Sequence, residues 1–136
     1  MTLVVVRHAR AGKSSEWEGD DRVRPLDKRG RRQAGELPGL LRDLEIRRIV
    51  SSPYLRCVQT VEPLAVARGL EVEHAPALGA DRQAHEAEPL LRELLGADAV
   101  VCVHGGIEDV LDVDRGLKKG EAWLFEGAFG APQPLG

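Results

Sequence analysis

The chain has 136 residues, 43% of them hydrophobic and 30% charged, with a net charge of −3. This length supports one domain with a sizeable core, and the composition excludes a disordered chain. The acidic balance argues against a nucleic-acid partner, no apolar run is long enough to span a membrane, and the first residues lack the pattern of a signal peptide, so a cytoplasmic location is expected.

Residues 3 to 6 form an apolar, mostly β-branched run that reads as a strand buried on both faces of a parallel sheet. The run ends at Arg7 and His8. Residues 9 to 25 are small, polar and charged, punctuated by Gly12, Gly19 and Pro25, and are too long for a plain connection; a functional loop is expected there. Asp27 can cap the next helix with Leu26 as its staple, and Ala34, Leu37, Leu41 and Leu44 give that helix an apolar stripe. Pro38 and Gly39 interrupt the stripe and predict a kink. Residues 48 to 51 read as a second strand. Ser52-Pro53 then reads as a helix start, serine as cap and proline in the first helical position. That helix runs to Arg68, bends at Pro63 and stops at Gly69.

Residues 70 to 73 read as a weak third strand, 75 to 83 as an irregular loop, and 86 to 95 as a helix ended by Gly96. Residues 99 to 103 are another buried strand running straight into His104-Gly105-Gly106, and a short helix is expected over 107 to 111. Residues 122 to 125 read as the last strand. The glycine- and proline-rich residues 127 to 136 read as a loose tail. Alternation of strand and helix predicts one α/β domain over residues 1 to 126, a three-layer arrangement with a mostly parallel sheet and helices on both faces. Ligands of such sheets bind beyond the carboxyl ends of the strands.

Arg7, Arg10, Arg22 and Arg24 crowd the first quarter of a mildly acidic chain, which suggests a local pocket for a small anion. Arg7 and His8 follow the first strand, Arg56 lies one turn into the helix after the second, and His104 follows the strand at 99 to 103. Gathered at one rim, these groups suit a tetrahedral phosphoryl group: cations on its oxygens and a nucleophile in line with the leaving group. A neutral imidazole offers a lone pair, and nearby arginines disfavour its protonation. Each piece alone is ordinary, since a histidine after a strand is commonly an edge residue, an arginine near a helix start a solvated charge, and two glycines a turn. Their convergence on one sheet edge carries the reading. Cys57 and Cys102 have no paired spacing and read as reduced thiols. A cysteine phosphatase needs an arginine six residues after its cysteine, where this chain has Pro63 and Glu108. No clustered zinc ligands are visible, which argues against a zinc hydrolase.

Residues 5 to 9, Val-Val-Arg-His-Ala, resemble the opening signature of the histidine phosphatase superfamily, and residues 51 to 60 resemble its second block, in which Ser-Pro precedes a helix bearing an arginine and a threonine. Val23-Arg24-Pro25-Leu26 followed by Gly30 is similar to the short bacterial branch, the SixA-type phosphohistidine phosphatases. The resemblance implies a phosphoglycerate-mutase-like fold and neither a metal nor an organic cofactor. It implies His8 as the transiently phosphorylated nucleophile, Arg7 and Arg56 as clamps on phosphoryl oxygens, and His104 as the second histidine of the phosphate pocket. Arg24 would reach the same pocket and Gly105 would line it. The chain also resembles the phosphatase-like domain fused to MutT-type Nudix hydrolases, through residues 24 to 27, 56 to 60 and 119 to 123; a free-standing, monomeric relative of that domain is expected.

The chain departs from the family pattern at Ala9, at the two glycines after His104, and at the proton donor. The family often places a carboxylate after the third strand. Here only Asp81 stands there, with Glu86 and Glu88 as distant alternatives. A missing acid favours a leaving group that departs easily, such as the nitrogen of phosphohistidine. Hydrolysis of protein phosphohistidine is therefore the first reading. The alternatives are a small-molecule phosphatase acting on nucleotides or sugar phosphates, and a phosphate-binding module without turnover. The expected partner is a phosphorylated protein or a small phosphorylated metabolite.

Overall fold

A computed structural model describes residues 1–136. Six strands form one sheet: β1 (Thr2–Arg7), β2 (Arg48–Ser51), β3 (Val72–His74), β4 (Ala99–Val103), β5 (Ala122–Glu126) and β6 (Gln133–Leu135), in the order β3-β2-β4-β1-β5-β6. Pairs β2–β3, β2–β4 and β1–β4 are parallel, while β1–β5 and β5–β6 are antiparallel. Leu3 to Val6 are all buried because β1 lies inside the sheet and is covered on both sides.

Alternation along the strands divides the core into two layers. Leu3, Val5, Val101, Val103, Trp123 and Phe125 face α3 (Glu88–Leu94) and the Ile107, Leu111 and Leu117 side chains. Val4, Val6, Val100, Cys102 and Leu124 face α1 (Lys28–Leu40) and α2 (Leu55–Arg68), whose Leu37, Cys57, Val61 and Leu64 fill that side. The expected α/β arrangement with helices on both faces is what forms. Asp27 caps α1 by accepting from Gly30 N–H at 2.8 Å, a contact of a kind that stabilises a helix by about 1 kcal/mol. Gly69 ends α2 in the left-handed conformation, φ 65°.

Four local expectations need correction. First, α1 stops at Leu40 rather than kinking onward, so Pro38 sits in its last turn; Leu41 is still buried, delivered by a turn. Second, α2 begins at Leu55, two residues later than a Pro53 start, because the Ser52 hydroxyl caps no helix: it accepts from Tyr54 N–H at 3.3 Å and also bonds His104. Third, residues 107 to 111 form successive turns, not a helix. Burial of Ile107, Leu111 and Val113 dictates the path of a segment too short to sustain helical nucleation. Fourth, the tail is not loose along its length. Residues Gln133–Leu135 extend the sheet as β6, pairing Leu135 with Ala122 and Pro134 with Trp123, and a proline is tolerated on this outermost edge.

Candidate active site

The carboxyl ends of β1 and β4 are neighbours in the sheet, so the residues that follow them emerge side by side. The His8 and His104 rings lie 5.4 Å apart, centroid to centroid, at 61°. His8 is 6% exposed. Its Nδ1 bonds the Ala9 carbonyl at 2.8 Å. In the neutral ring Nδ1 must be the donor, which leaves Nε2 as a lone-pair nitrogen without a protein partner. Burial, then the nearby His104, Arg56 and Arg7, push the His8 pKa down from 6.5 to about 3, against the opposing Ala9 bond. The ring is neutral at pH 7.

His104 is held on the α2 side. Its Nε2 shares a 2.8 Å hydrogen bond with Ser52 Oγ and lies 3.5 Å from Cys57 Sγ, and Tyr54 packs edge-on at 4.9 Å. The two glycines after it have different physical causes. A Cβ on Gly105 would come within 2.9 Å of Arg7 Cζ, so the guanidinium can lie flat there only against glycine. Gly106 has φ 93°, a conformation side chains disfavour.

Arg24 and Arg56 are buried and Arg7 is half-buried, and two of the three keep an unpartnered Nε. Arg7 donates Nη1 to the Leu117 carbonyl at 3.0 Å, and its buried Nε has no partner. Arg56, 4% exposed, donates Nη1 to Asp21 O and Nη2 to Asp21 Oδ2, and its buried Nε is likewise unpartnered. Arg24 donates Nε to Asp21 Oδ1 at 2.9 Å and Nη1 to the Ala11 carbonyl. Asp21 thus braces two guanidinium groups. Its own pKa is lowered by the Arg24 hydrogen bond first, with Arg56 adding to the effect.

These groups line a cavity of about 710 Å³ that includes Arg7, His8, Arg24, Arg56, His104 and Gly105. Six sequence candidates therefore meet in one place. Asp81 does not join them: it lines neither this cavity nor its neighbour, and its carboxylate folds back over Gly79. Glu86 accepts from Gln83 N–H at 3.0 Å and Glu88 pairs with Arg92, so both are engaged elsewhere. Arg10 and Arg22 also leave the cluster, paired with Asp27 and Asp20.

Sequence reasoning missed several cavity residues: Lys13, Ser14, Ser15, Glu108 and Lys119. The signal for Lys119 was weak but present in the stretch 119 to 123. Gly120 N–H donates to the Arg7 and His8 carbonyls, which pins that segment beside His8. Glu108 had no signal, because nothing local distinguishes it from a solvated charge. A second, smaller cavity of about 270 Å³ adjoins the first across Ala80, His104, Gly105 and Gly106, with walls that include Ala77, Leu78, Ala87 and Ile107. No group of three or more metal-ligating side chains is gathered anywhere. No helix is long and apolar enough to cross a membrane.

Comparison with known proteins gives consistent results. Residues 3–79 match the family model of the histidine phosphatase superfamily (branch 1). The chain is 34% identical over 140 residues to an 8-oxo-(d)GTP phosphatase of Mycolicibacterium smegmatis, covering 91% of this chain but only 44% of that protein, so it spans less than half of its relative's length. In fold it is similar to the protein histidine phosphatase SixA complexed with tungstate, at TM-score 0.76 and 21% identity over 98% of this chain and 94% of that one. It is also similar to a mycobacterial glucosyl-3-phosphoglycerate phosphatase, at TM-score 0.71 and 19% identity over 90% and 88% of the two chains.

Proposed function

The chain belongs to the histidine phosphatase superfamily, enzymes that work through a histidine nucleophile, and from that premise we propose that it hydrolyses small phosphorylated molecules of the nucleotide class through a phosphohistidine at His8. One observation carries the chemistry: a buried, neutral His8 whose Nδ1 is tied to a carbonyl while Nε2 is unpartnered in a cavity lined by Arg7 and Arg56. Nε2 attacks phosphorus as the bond to the leaving oxygen breaks. Arg7, Arg56 and His104 take the charge gathering on the equatorial oxygens. Water then cleaves the nitrogen–phosphorus bond and returns the electron pair to Nε2. Arg24 holds the loop at Ala11 and Gly12 against the cavity.

Three features favour a nucleotide. Lys13 and Lys119 line the cavity without carboxylate partners and exceed the need of one phosphoryl group. The adjoining small, partly apolar cavity has room for part of a compact leaving group. The relative at 34% identity acts on an 8-oxo-guanine nucleotide. Protein phosphohistidine is the second reading. The wide cavity mouth and the position of Asp81 outside it favour a group displayed on a surface whose nitrogen leaves with little help.

The deciding experiment offers the protein labelled nucleoside di- and triphosphates, a sugar phosphate and a phosphohistidine protein, with acid-labile phosphate on His8 measured after rapid quench. Faster labelling by nucleotides supports the first reading, and preference for the protein substrate supports the second. Phosphate or vanadate binding without any label on His8 would identify a binding module and overturn both.

A further inference from the structure

Glu108 is the single carboxylate among the residues lining the phosphoryl cavity, where Arg7, Arg24, Arg56, Lys13 and Lys119 are the cations. It makes no ion pair with any of them. Its Oε1 accepts from Gly106 N–H at 3.0 Å, two residues past His104, while Oε2 takes no hydrogen bond. This anchoring ties the carboxyl group to the same turn that positions His104. A carboxyl group lining this cavity can hand a proton to a leaving oxygen and take one back from water. No other candidate carboxylate reaches the cavity: Asp81 folds over Gly79, Glu86 caps a turn and Glu88 pairs with Arg92.

We propose that Glu108 is the proton donor to the leaving oxygen and, in the second half-reaction, the base that activates water. The assignment rests on the phosphatase reading above. In the first step the Nε2 lone pair of His8 forms the nitrogen–phosphorus bond. The oxygen–phosphorus bond breaks, and the leaving oxygen keeps that electron pair and takes the Glu108 proton. With a phosphomonoester the products are a neutral alcohol, a phosphoimidazolium and the Glu108 carboxylate; with a phosphoanhydride the leaving phosphate takes the proton. In the second step the carboxylate takes a proton from water, the hydroxide oxygen bonds to phosphorus, and the nitrogen–phosphorus pair returns to His8. Phosphate is released with Glu108 protonated again. The family's usual acid comes from the loop after the third strand, whereas here the loop after the fourth supplies it.

The test is a leaving-group series on Glu108→Gln, which keeps an amide oxygen to accept from Gly106 N–H. Hydrolysis of alkyl phosphates should fall by about 100- to 10,000-fold. Phosphorylation of His8 by p-nitrophenyl phosphate, whose leaving group needs no proton, should change by less than about threefold, and the phosphoenzyme should accumulate because water is no longer activated. Equal losses on both substrates would reveal a merely structural role and overturn the proposal, as would an alkyl phosphate rate that is not reduced. Glu108→Ala serves as a second variant; if Gln restores what Ala loses, the anchor and not the proton matters, and the proposal fails. Absence of phospho-His8 in the unmodified protein would instead sink the phosphatase reading itself.

Discussion

Two arginines at opposite ends of β2 show how this molecule separates structural charge from chemical charge. Arg48 begins the strand and is fully employed: Nε and Nη2 donate to Glu73, and Nη1 donates to Glu93 at 3.0 Å. Its pKa is raised, by the Glu73 hydrogen bonds first and then the Glu93 bond. Arg56, just past the other end, is nearly inaccessible, yet its Nε has no partner and its one carboxylate, Asp21, is shared with Arg24. A buried donor left unsatisfied costs about 1–3 kcal/mol, so it persists where something else completes it. A phosphoryl oxygen is a group of the right charge and size. The Arg48 cluster ties β2, β3 and α3 together, with the guanidinium charge matched by two carboxylates.

The largest expected effect lies with the nucleophile. His8→Asn should lower turnover by at least about 1,000-fold and abolish acid-labile labelling, with the folded state retained by circular dichroism. Next, Arg56→Ala should cost about 100- to 1,000-fold in kcat/KM, and Arg56→Lys should recover little, because a point charge cannot replace a planar fork held by Asp21. Arg48→Ala should leave kcat/KM within about twofold and lower unfolding free energy by about 1 kcal/mol or less in a urea titration, since the pairs are partly exposed. A substantial kinetic defect in Arg48→Ala would break the contrast.

A smaller effect sharpens the same comparison from within the cavity. Gly105→Ala should push the Arg7 guanidinium aside and reduce kcat/KM by about tenfold, with its circular dichroism spectrum unchanged. The pH dependence should be smaller still near neutrality. His8 must be neutral to attack, and its pKa of about 3 places its acid limb far below the usual histidine range. Between pH 7 and 5, kcat/KM, corrected for ionisation of the substrate, should therefore escape the roughly 25-fold loss an ordinary histidine would impose. By linkage, the unfolded chain takes up a proton on His8 below about pH 6.5 while the folded one resists until about 3, so stability is lost across that window as pH falls. His8→Asn should flatten that loss in urea titrations.

The strands and their chemistry were legible because they rest on local patterns. Continuous β-branched runs named β1 and β4, and each ends on its functional histidine. Arg7, Arg24 and Arg56, which line the cavity with His8, stood in recognisable blocks. The brace on Arg24 and Arg56 was not legible, since Asp21 looks like any loop carboxylate until α2 packs against its loop. Ser52 was legible as a cap and is instead a hydrogen-bond partner of His104, a role set by a strand 50 residues away. The tail read as loose because glycine and proline disfavour order locally, yet the open edge of β5 supplies partners for a short strand.

Sequence by itself determined the α/β class, the family, and the histidines and arginines that meet in the cavity, because these follow from periodicity and from residue types in fixed local order. Tertiary structure alone decided which carboxylate faces the phosphoryl cavity. Position after β3 favoured Asp81 and nothing local marked Glu108; only the path of the chain after β3 and after β4 turns one over Gly79 and brings the other into the cavity that His104 lines. Proton transfer depends on distances of a few ångströms, which spacing along a chain does not encode.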